Sequence, residues 1–192
     1  GSIKDAAGND ASLTLSGPGE SGSLGENSSF VIDGIVPTVS DISSSTADGS
    51  YSINQEILID IEFSESLTVD TTNGTPTLEL ETGTTDRTAY YTSGSGSSNL
   101  IFTYTVEEGD ISSNLDYTSD SALSLNGGSI TDAVGNDASL TLSEPGESGS
   151  LSENSSLVID AINSGIAEFS IDGTAEFGQT LKVSEDTADS DG

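Results

Sequence analysis

The sequence predicts an all-β fold built as a two-sheet antiparallel sandwich. Three observations lead to this fold class. Apolar and polar residues alternate with a period of two, no stretch shows the period of a helix, and Gly or Pro residues separate the alternating runs. Seven to nine short strands in about 125 residues are typical of such a sandwich.

Three runs carry most of the strand signal. Residues 57–63 place their apolar side chains on one face, namely Ile57, Ile59, Ile61 and Phe63. Residues 77–82 place Leu78 and Leu80 opposite two glutamates, and residues 100–106 repeat the alternation. Shorter runs predict further strands at residues 89–92, 122–125, 138–142 and 157–159. The polar, turn-rich residues 143–156 are expected to extend or interrupt the last strand.

A 35-residue segment occurs twice and sets the domain organisation. Residues 1–35 and 128–162 differ at only six positions, with an offset of 127 residues. Such a near-copy indicates a tandem array of modules. The repeat therefore predicts a complete module at 36–162, the C-terminal part of an upstream module at 1–35, and the start of a further, different module at 163–192, since the sequence after residue 162 differs from that after residue 35.

Charge restricts the partners of this chain. It carries 33 acidic and 3 basic residues, a formal net charge of −30. Nucleic acid is excluded as a partner because phosphate binding needs a basic surface. No apolar run approaches the roughly 18 residues of a membrane-spanning helix, so no membrane insertion is expected. Divalent cations or high salt would relieve the repulsion among so many carboxylates.

The chain lacks Cys, Met, His and Trp. Disulfides, thiol chemistry and soft-metal sites are therefore excluded, and neither His nor Cys is present for acid–base or nucleophilic roles. Paired carboxylates could in principle cleave a glycosidic bond, but among 33 acidic residues such pairs arise by chance. We expect no enzymatic activity. Metals that prefer oxygen ligands remain, with Ca²⁺ first among them.

The best candidate for a cation ligand is the GND loop, which we define as residues 131–137. It places Asp132, Asn136 and Asp137 in one short turn, and Ca²⁺ takes six to eight oxygens from carboxylates, amides and carbonyls. Its first copy, residues 4–10, presents the same three side chains, Asp5, Asn9 and Asp10. The alternative is an ordinary turn, because Asn and Asp favour such turns without any metal.

Topology predicts where acidic residues gather. If strands run up and down from Pro37, the end of the sandwich near Pro37, here called the N-terminal pole, receives Glu65 and the GND loop. These residues are expected to converge there with Asp33 of the preceding module. At the opposite, C-terminal pole, three aspartates are expected to face a fourth: Asp48, Asp110 and Asp116 face Asp160. The alternative is that all these loops are solvated, charged turns.

Several motifs, in order along residues 36–162, resemble the bacterial Ig-like repeats of giant RTX-type surface adhesins. They are FSESLTVD (63–70), TPTLEL (76–81), YTVEEGD (104–110), LDYTS (115–119), ALSLNGGSITDAVGNDASLTL (122–142) and VID (158–160). The resemblance implies Ig-like sandwiches in a tandem array, rigidified by Ca²⁺, in an extracellular stalk on the bacterial cell surface. Residues 173–184 are similar to the opening hairpin of a second Ig-like repeat.

The sequence thus predicts a calcium-rigidified structural spacer, or extender, of a large adhesin that supports attachment and biofilm formation. Its partners would be the adjacent modules of the same chain. The alternative is a subunit of an extracellular filament or surface layer, assembled by strand exchange between chains. A ligand-binding module for glycan or ice is not indicated, because the sequence shows neither an aromatic-lined site nor a regular Thr array.

Overall fold

The computed structural model describes residues 1–162, 168–172 and 182–187. Two compact units divide the chain, the first being Gly1–Gly34 and the second Ile35–Gly192. Neither of the two helices found in the described residues is long and apolar enough to cross a membrane. The range predicted to begin a further module, 163–192, lies mostly outside the described residues.

The second unit is built from antiparallel sheets, so the predicted all-β sandwich fold is confirmed. Its strands up to residue 162 are β1 (Val39–Ser44), β2 (Gly49–Tyr51), β3 (Glu56–Asp70), β4 (Thr77–Glu81), β5 (Arg87–Ser93), β6 (Ser97–Thr105), β7 (Ile111–Ser112), β8 (Asp116–Tyr117), β9 (Leu123–Ser124), β10 (Ser129–Thr131) and β11 (Leu157–Asp160). Two more strands, β12 (Glu168–Asp172) and β13 (Lys182–Thr187), pair with each other in antiparallel fashion.

The main sheet has the strand order β1-β3-β6-β5-β4-β8, with β10 also paired to β3 and β9 to β4. A smaller sheet has the order β2-β11-β7. In that sheet β11 is antiparallel to β7 but parallel to β2, an exception to the predicted antiparallel pairing. The strands are rich in β-branched and aromatic residues, which suit the pleated, half-buried surface of a sheet.

The core lies on the alternating faces that the sequence indicates. All four apolar residues predicted on one face of 57–63 are buried, and so are Leu78 and Leu80 of β4. The predicted face of 100–106 is buried as well, consisting of Leu100, Phe102, Tyr104 and Val106. The edge of the Tyr91 ring meets Phe102 with a centroid separation of 5.9 Å, a favourable aromatic geometry.

The predicted strand at residues 138–142 is wrong. Leu142 is buried, as the alternation indicates, but the backbone makes only isolated bonds to different neighbours. The amide of Ser139 donates to the Pro37 carbonyl at 2.8 Å, and the amide of Leu142 donates to the Asp120 carbonyl at 2.9 Å. The segment crosses between two parts of the module instead of following one partner strand, so no ladder forms.

Two single helical turns interrupt the β structure, α1 (Leu24–Asn27) and α2 (Leu151–Asn154). Ser23 and Ser150 cap them by accepting bonds from the amides of Glu26 and Glu153. The S-x-x-E sequence is the pattern of a capping box, which favours a helix start. The turn-rich segment 143–156 therefore holds one helical turn before β11 begins.

The pairing of the strands shows which residues lie at each of the two poles. At the N-terminal pole, the amide of Ser64 donates to the Thr38 carbonyl at 2.9 Å, next to the Val39–Phe63 pair of β1 and β3. At the other pole, Glu56 at the start of β3 pairs with Thr105 at the end of β6. The chain of the second unit thus enters at one pole, and β11 runs toward the other, where the amide of Gly109 donates to the Ala161 carbonyl.

Candidate metal centre

Glu65 and Asp132 come together at the N-terminal pole of the second unit. Glu65 lies in β3, and β10 pairs with the end of that strand in the register Ile130 to Val69. Asp132 follows β10 directly, and the antiparallel register carries it from the end of β3 back toward Glu65. The two residues offer carboxylate oxygens within 4.8 Å of each other.

The GND loop is organised around the Asp132 carboxylate. Its Oδ1 atom accepts bonds from the backbone amides of Val134, Gly135 and Asn136 at 2.9, 2.7 and 2.8 Å. Its Oδ2 atom accepts from Asn136 Nδ2 at 2.7 Å. Gly135 has a φ of 96°, a conformation that glycine adopts without a steric penalty. The loop is therefore an Asp-centred turn in which Oδ2 carries fewer bonds than Oδ1.

The first copy of the loop has most of the same internal bonds. Asp5 Oδ1 accepts from the amides of Ala7 and Asn9 at 3.0 and 2.8 Å, and Asp5 Oδ2 accepts from Asn9 Nδ2 at 2.9 Å. The loop geometry therefore follows from the local sequence and does not need the surrounding sheets.

Both central aspartates are held in the ionised state. For Asp132, burial is the largest influence and opposes ionisation, but the hydrogen bonds from Asn136, Val134 and Gly135 together outweigh it and lower the pKa. For Asp5, the side-chain bond from Asn9 is the main cause of a pKa below its ordinary value. A carboxylate that stays charged is a suitable cation ligand.

The remaining residues of the loop differ in what they offer. Asn136 Nδ2 also donates to the carbonyl of Ile35 at 3.3 Å, which ties the loop to the start of the second unit. Asp137 is exposed and forms a backbone bridge with Thr131. In the first copy, Asp10 forms an ion pair with Lys4. Asp33 belongs to the first unit, and its predicted approach to Glu65 and Asp132 stays a prediction.

At the C-terminal pole, Asp110 is engaged by protein groups. It is buried, and its Oδ1 atom accepts from Arg87 Nε at 2.6 Å. Its Oδ2 atom accepts from the Tyr104 hydroxyl at 2.6 Å and from the amide of Glu107 at 2.8 Å. The pKa of Arg87 is raised, chiefly by its bond to Asp110, and the pKa of Tyr104 is raised by burial and then by the same carboxylate.

The other three aspartates predicted at this pole have separate surroundings. Asp116 accepts from the amide of Gly146 at 2.9 Å and from Ser152 Oγ at 2.6 Å. Asp48 accepts from the amide of Ser156 at 2.8 Å, and Asp160 is exposed on β11. Within the described part of the chain, the four predicted aspartates form no group of three with oxygens close enough to share a metal ion.

The ion pair between Arg87 and Asp110 was not predicted from the sequence. Arg87 begins β5, whereas Asp110 follows β6, and 23 residues separate them. The only signal in the sequence was the scarcity of basic residues, because Arg87, one of only three, stands just before a predicted strand. A buried carboxylate needs such a partner.

Comparisons with known proteins bring no further information to the site. No family model matches the sequence, and it has no match among curated proteins or solved structures. The geometry itself defines what the N-terminal pole can do. Two carboxylates, an amide side chain and nearby carbonyls are hard oxygen donors, which suit Ca²⁺ better than Zn²⁺ or Cu²⁺.

Proposed function

We propose that residues 36–162 are a calcium-rigidified structural spacer, or extender, of a large bacterial cell-surface adhesin that supports attachment and biofilm formation. The observation that carries this proposal is the approach of Glu65 and Asp132 at the N-terminal pole, with oxygens within 4.8 Å, in a chain of net charge −30. We propose no enzymatic role.

Electrostatics supports a cation at this pole. Two carboxylates at this separation repel by roughly 3–4 kcal/mol at an effective dielectric constant of about 20. Asp132 cannot relieve the repulsion readily by taking up a proton, because its hydrogen bonds lower its pKa. A bound Ca²⁺ would remove the repulsion and gain ligands at once.

The short chain between modules supports a role in stiffening. Asp33 precedes Ile35 by two residues, and the carbonyl of Ile35 accepts a bond from the GND loop. Two residues span at most about 7 Å of extended chain. We propose on this connectivity that Asp33 supplies a third carboxylate to the same ion. Pro37 restricts the backbone two residues after Ile35. The partners would be adjacent modules of the same extracellular chain.

Calorimetric titration of the chelated protein with CaCl₂ tests this function. We expect saturable binding and a higher melting temperature, since a ligand specific for the folded state at about a hundredfold excess over Kd stabilises it by about 2.7 kcal/mol. NaCl at matched ionic strength is the control. If NaCl and CaCl₂ raise the melting temperature equally, screening explains the effect and the proposed ion site is wrong.

A second candidate function is a subunit of an extracellular filament or surface layer, assembled by strand addition between chains. The exposed apolar side chains of residues 1–34 favour it, because such groups are available to a neighbouring chain. Sedimentation over a wide range of protein concentrations distinguishes the two functions. A spacer stays monomeric, whereas a filament subunit forms larger species as concentration rises.

A further inference from the structure

The repeated segment occurs in two settings within one chain, and its turns have the same local structure in both. Lys4 bridges Asp10 as Thr131 bridges Asp137. The amide of Ala11 donates to the Ile3 carbonyl at 2.9 Å, and the corresponding bond at Ala138 measures 3.0 Å. The capped turns α1 and α2 also correspond. The turns of residues 1–34 therefore hold the shape that the corresponding turns have in the complete module, whereas the segments that form β10 and β11 in the second copy are not strands in the first.

Burial differs strongly between the two copies. Ile32 is 96% exposed, whereas its counterpart Ile159 is 1% exposed. Leu24 is 72% exposed, and its counterpart Leu151 is fully buried. The same contrast holds for Ile3, Leu15 and Phe30 against Ile130, Leu142 and Leu157. The apolar face that is exposed in the first copy is thus buried in the second copy.

Residues 36–127, which we call the body of the module, cover the apolar face of the second copy. β11 lies between β2 and β7, which both belong to the body. The turn before α2 contacts β1, where the amide of Ile42 donates to the Gly149 carbonyl at 3.1 Å. The amide of Leu115 donates to the Leu157 carbonyl at 2.8 Å. The body is therefore a receptor for a segment of this sequence.

We propose that residues 1–34 are a closing segment whose partner is a second body of the 36–127 type, located before Gly1 in a longer chain. The near-identity of the two copies identifies the chemistry of this partner, because the same apolar residues need the same complementary surface. The inference concerns folding and association, and it holds whether or not the N-terminal pole binds Ca²⁺.

Two of the six differing positions indicate that each closing segment fits its own body best. Phe30 stands where the buried Leu157 fits, so the partner of residues 1–34 needs a larger cavity there. Gly25 stands where Ser152 donates to Asp116, so that partner does not rely on this bond. Such matching would discourage exchange of segments between neighbouring, nearly identical modules.

The test adds a copy of residues 36–127 directly before Gly1 of the full 192-residue chain. Hydrogen exchange then compares residues 1–34 with residues 128–162 in each protein. We expect fast exchange of residues 1–34 in the original chain, and exchange slower by about a hundredfold or more in the extended chain. If residues 1–34 exchange equally fast in both proteins, the proposal is overturned.

Matched variants keep the test decisive. Changing all six differing positions of the first copy to those of the second recreates the complete module, which must become protected. Phe30→Leu alone should raise the melting temperature of the added module, whereas Ile32→Asp should abolish its protection.

In the original chain, Ile32→Asp should leave the melting of residues 36–162 unchanged. Concentration-dependent association of the original chain that Ile32→Asp removes would instead identify a second copy as the partner and overturn the proposal.

Discussion

The Tyr104 hydroxyl donates a 2.6 Å hydrogen bond to Oδ2 of Asp110, a buried carboxylate whose other oxygen binds Arg87. Arg87 also pairs with Glu107 at 2.7 Å. These contacts join β5, β6 and the loop after β6 into one unit. In a chain with three basic residues, one of them thus bonds to this buried acid.

Asp110→Ala should destabilise the module without changing its calcium affinity. Removal of the carboxylate leaves the Arg87 head group and the Tyr104 hydroxyl without their acceptor, at a cost of about 2–4 kcal/mol in the free energy of unfolding. Urea unfolding measures this loss, and calorimetric titration measures the affinity. An unchanged stability, or a calcium affinity that falls with Asp110→Ala, would contradict the structural role.

Glu65→Gln should weaken calcium binding by about tenfold or more, because it removes one charged ligand. Glu62→Gln is the matched control, since both residues are glutamates on β3 and the side chain of Glu62 is exposed on the strand. Calorimetric titration compares the two variants. Equal affinities would show that the N-terminal pole does not hold the ion.

The stabilising effect of Asp132 should depend on pH in acid solution. Its pKa is lower in the folded state, so the carboxylate adds stability above its unfolded pKa, and this contribution is lost as the pH falls through the folded pKa. Carboxyl-carbon NMR in the presence of chelator measures that pKa. Asn136→Ala should raise it, although the amides of Val134 and Gly135 should keep it below the ordinary value. A Val134→Ala control should leave it unchanged.

Gly74→Ala should destabilise the module by about 2–4 kcal/mol. A Cβ atom there would lie 1.8 Å from the Asn126 carbonyl oxygen, in the contact that positions the chain before β10 and the GND loop. Gly49→Ala is the control, because its nearest neighbour would be the Tyr51 ring at 4.0 Å. Thermal melting should separate the two variants clearly, and equal melting temperatures would contradict the close approach.

Calcium should stiffen a chain of several modules. Small-angle scattering should give a larger maximum dimension in CaCl₂ than in chelator, because an ion shared across a junction removes bending freedom. Asp33→Ala should abolish this difference while each module keeps its melting temperature in chelator. A maximum dimension that is independent of calcium would favour the filament-subunit alternative.

Strands with strong alternation could be predicted because burial repeats along them. Ile57 to Phe63 shows this case, because all four of its alternating apolar side chains are buried. Asp60 shows the limit of the same rule. Its outward position predicts a solvated side chain, yet it accepts bonds from the Ser45 amide and Asn99 Nδ2 at 2.7 and 2.8 Å.

Contacts between distant residues could not be predicted from local patterns. The parallel pairing of β2 with β11 joins residues more than 100 positions apart, and nothing in their sequences specifies direction. The burial of Asp110 and Asp116 likewise depends on partners that the tertiary fold supplies. Acidic residues in loops look alike in the sequence, whereas the fold assigns some of them to structural bonds.

The placement of β11 determines how the module would respond to tension. β11 leads the chain away at the C-terminal pole, while the chain enters near Pro37 at the other pole. A force applied through both ends acts along β11 and across the hydrogen bonds that join it to β2 and β7. Those bonds are loaded together in shear and do not open one after another, as they would in an unzipping hairpin. Resistance to tension at this end of the module thus depends on the smaller sheet, although most of the core belongs to the larger one.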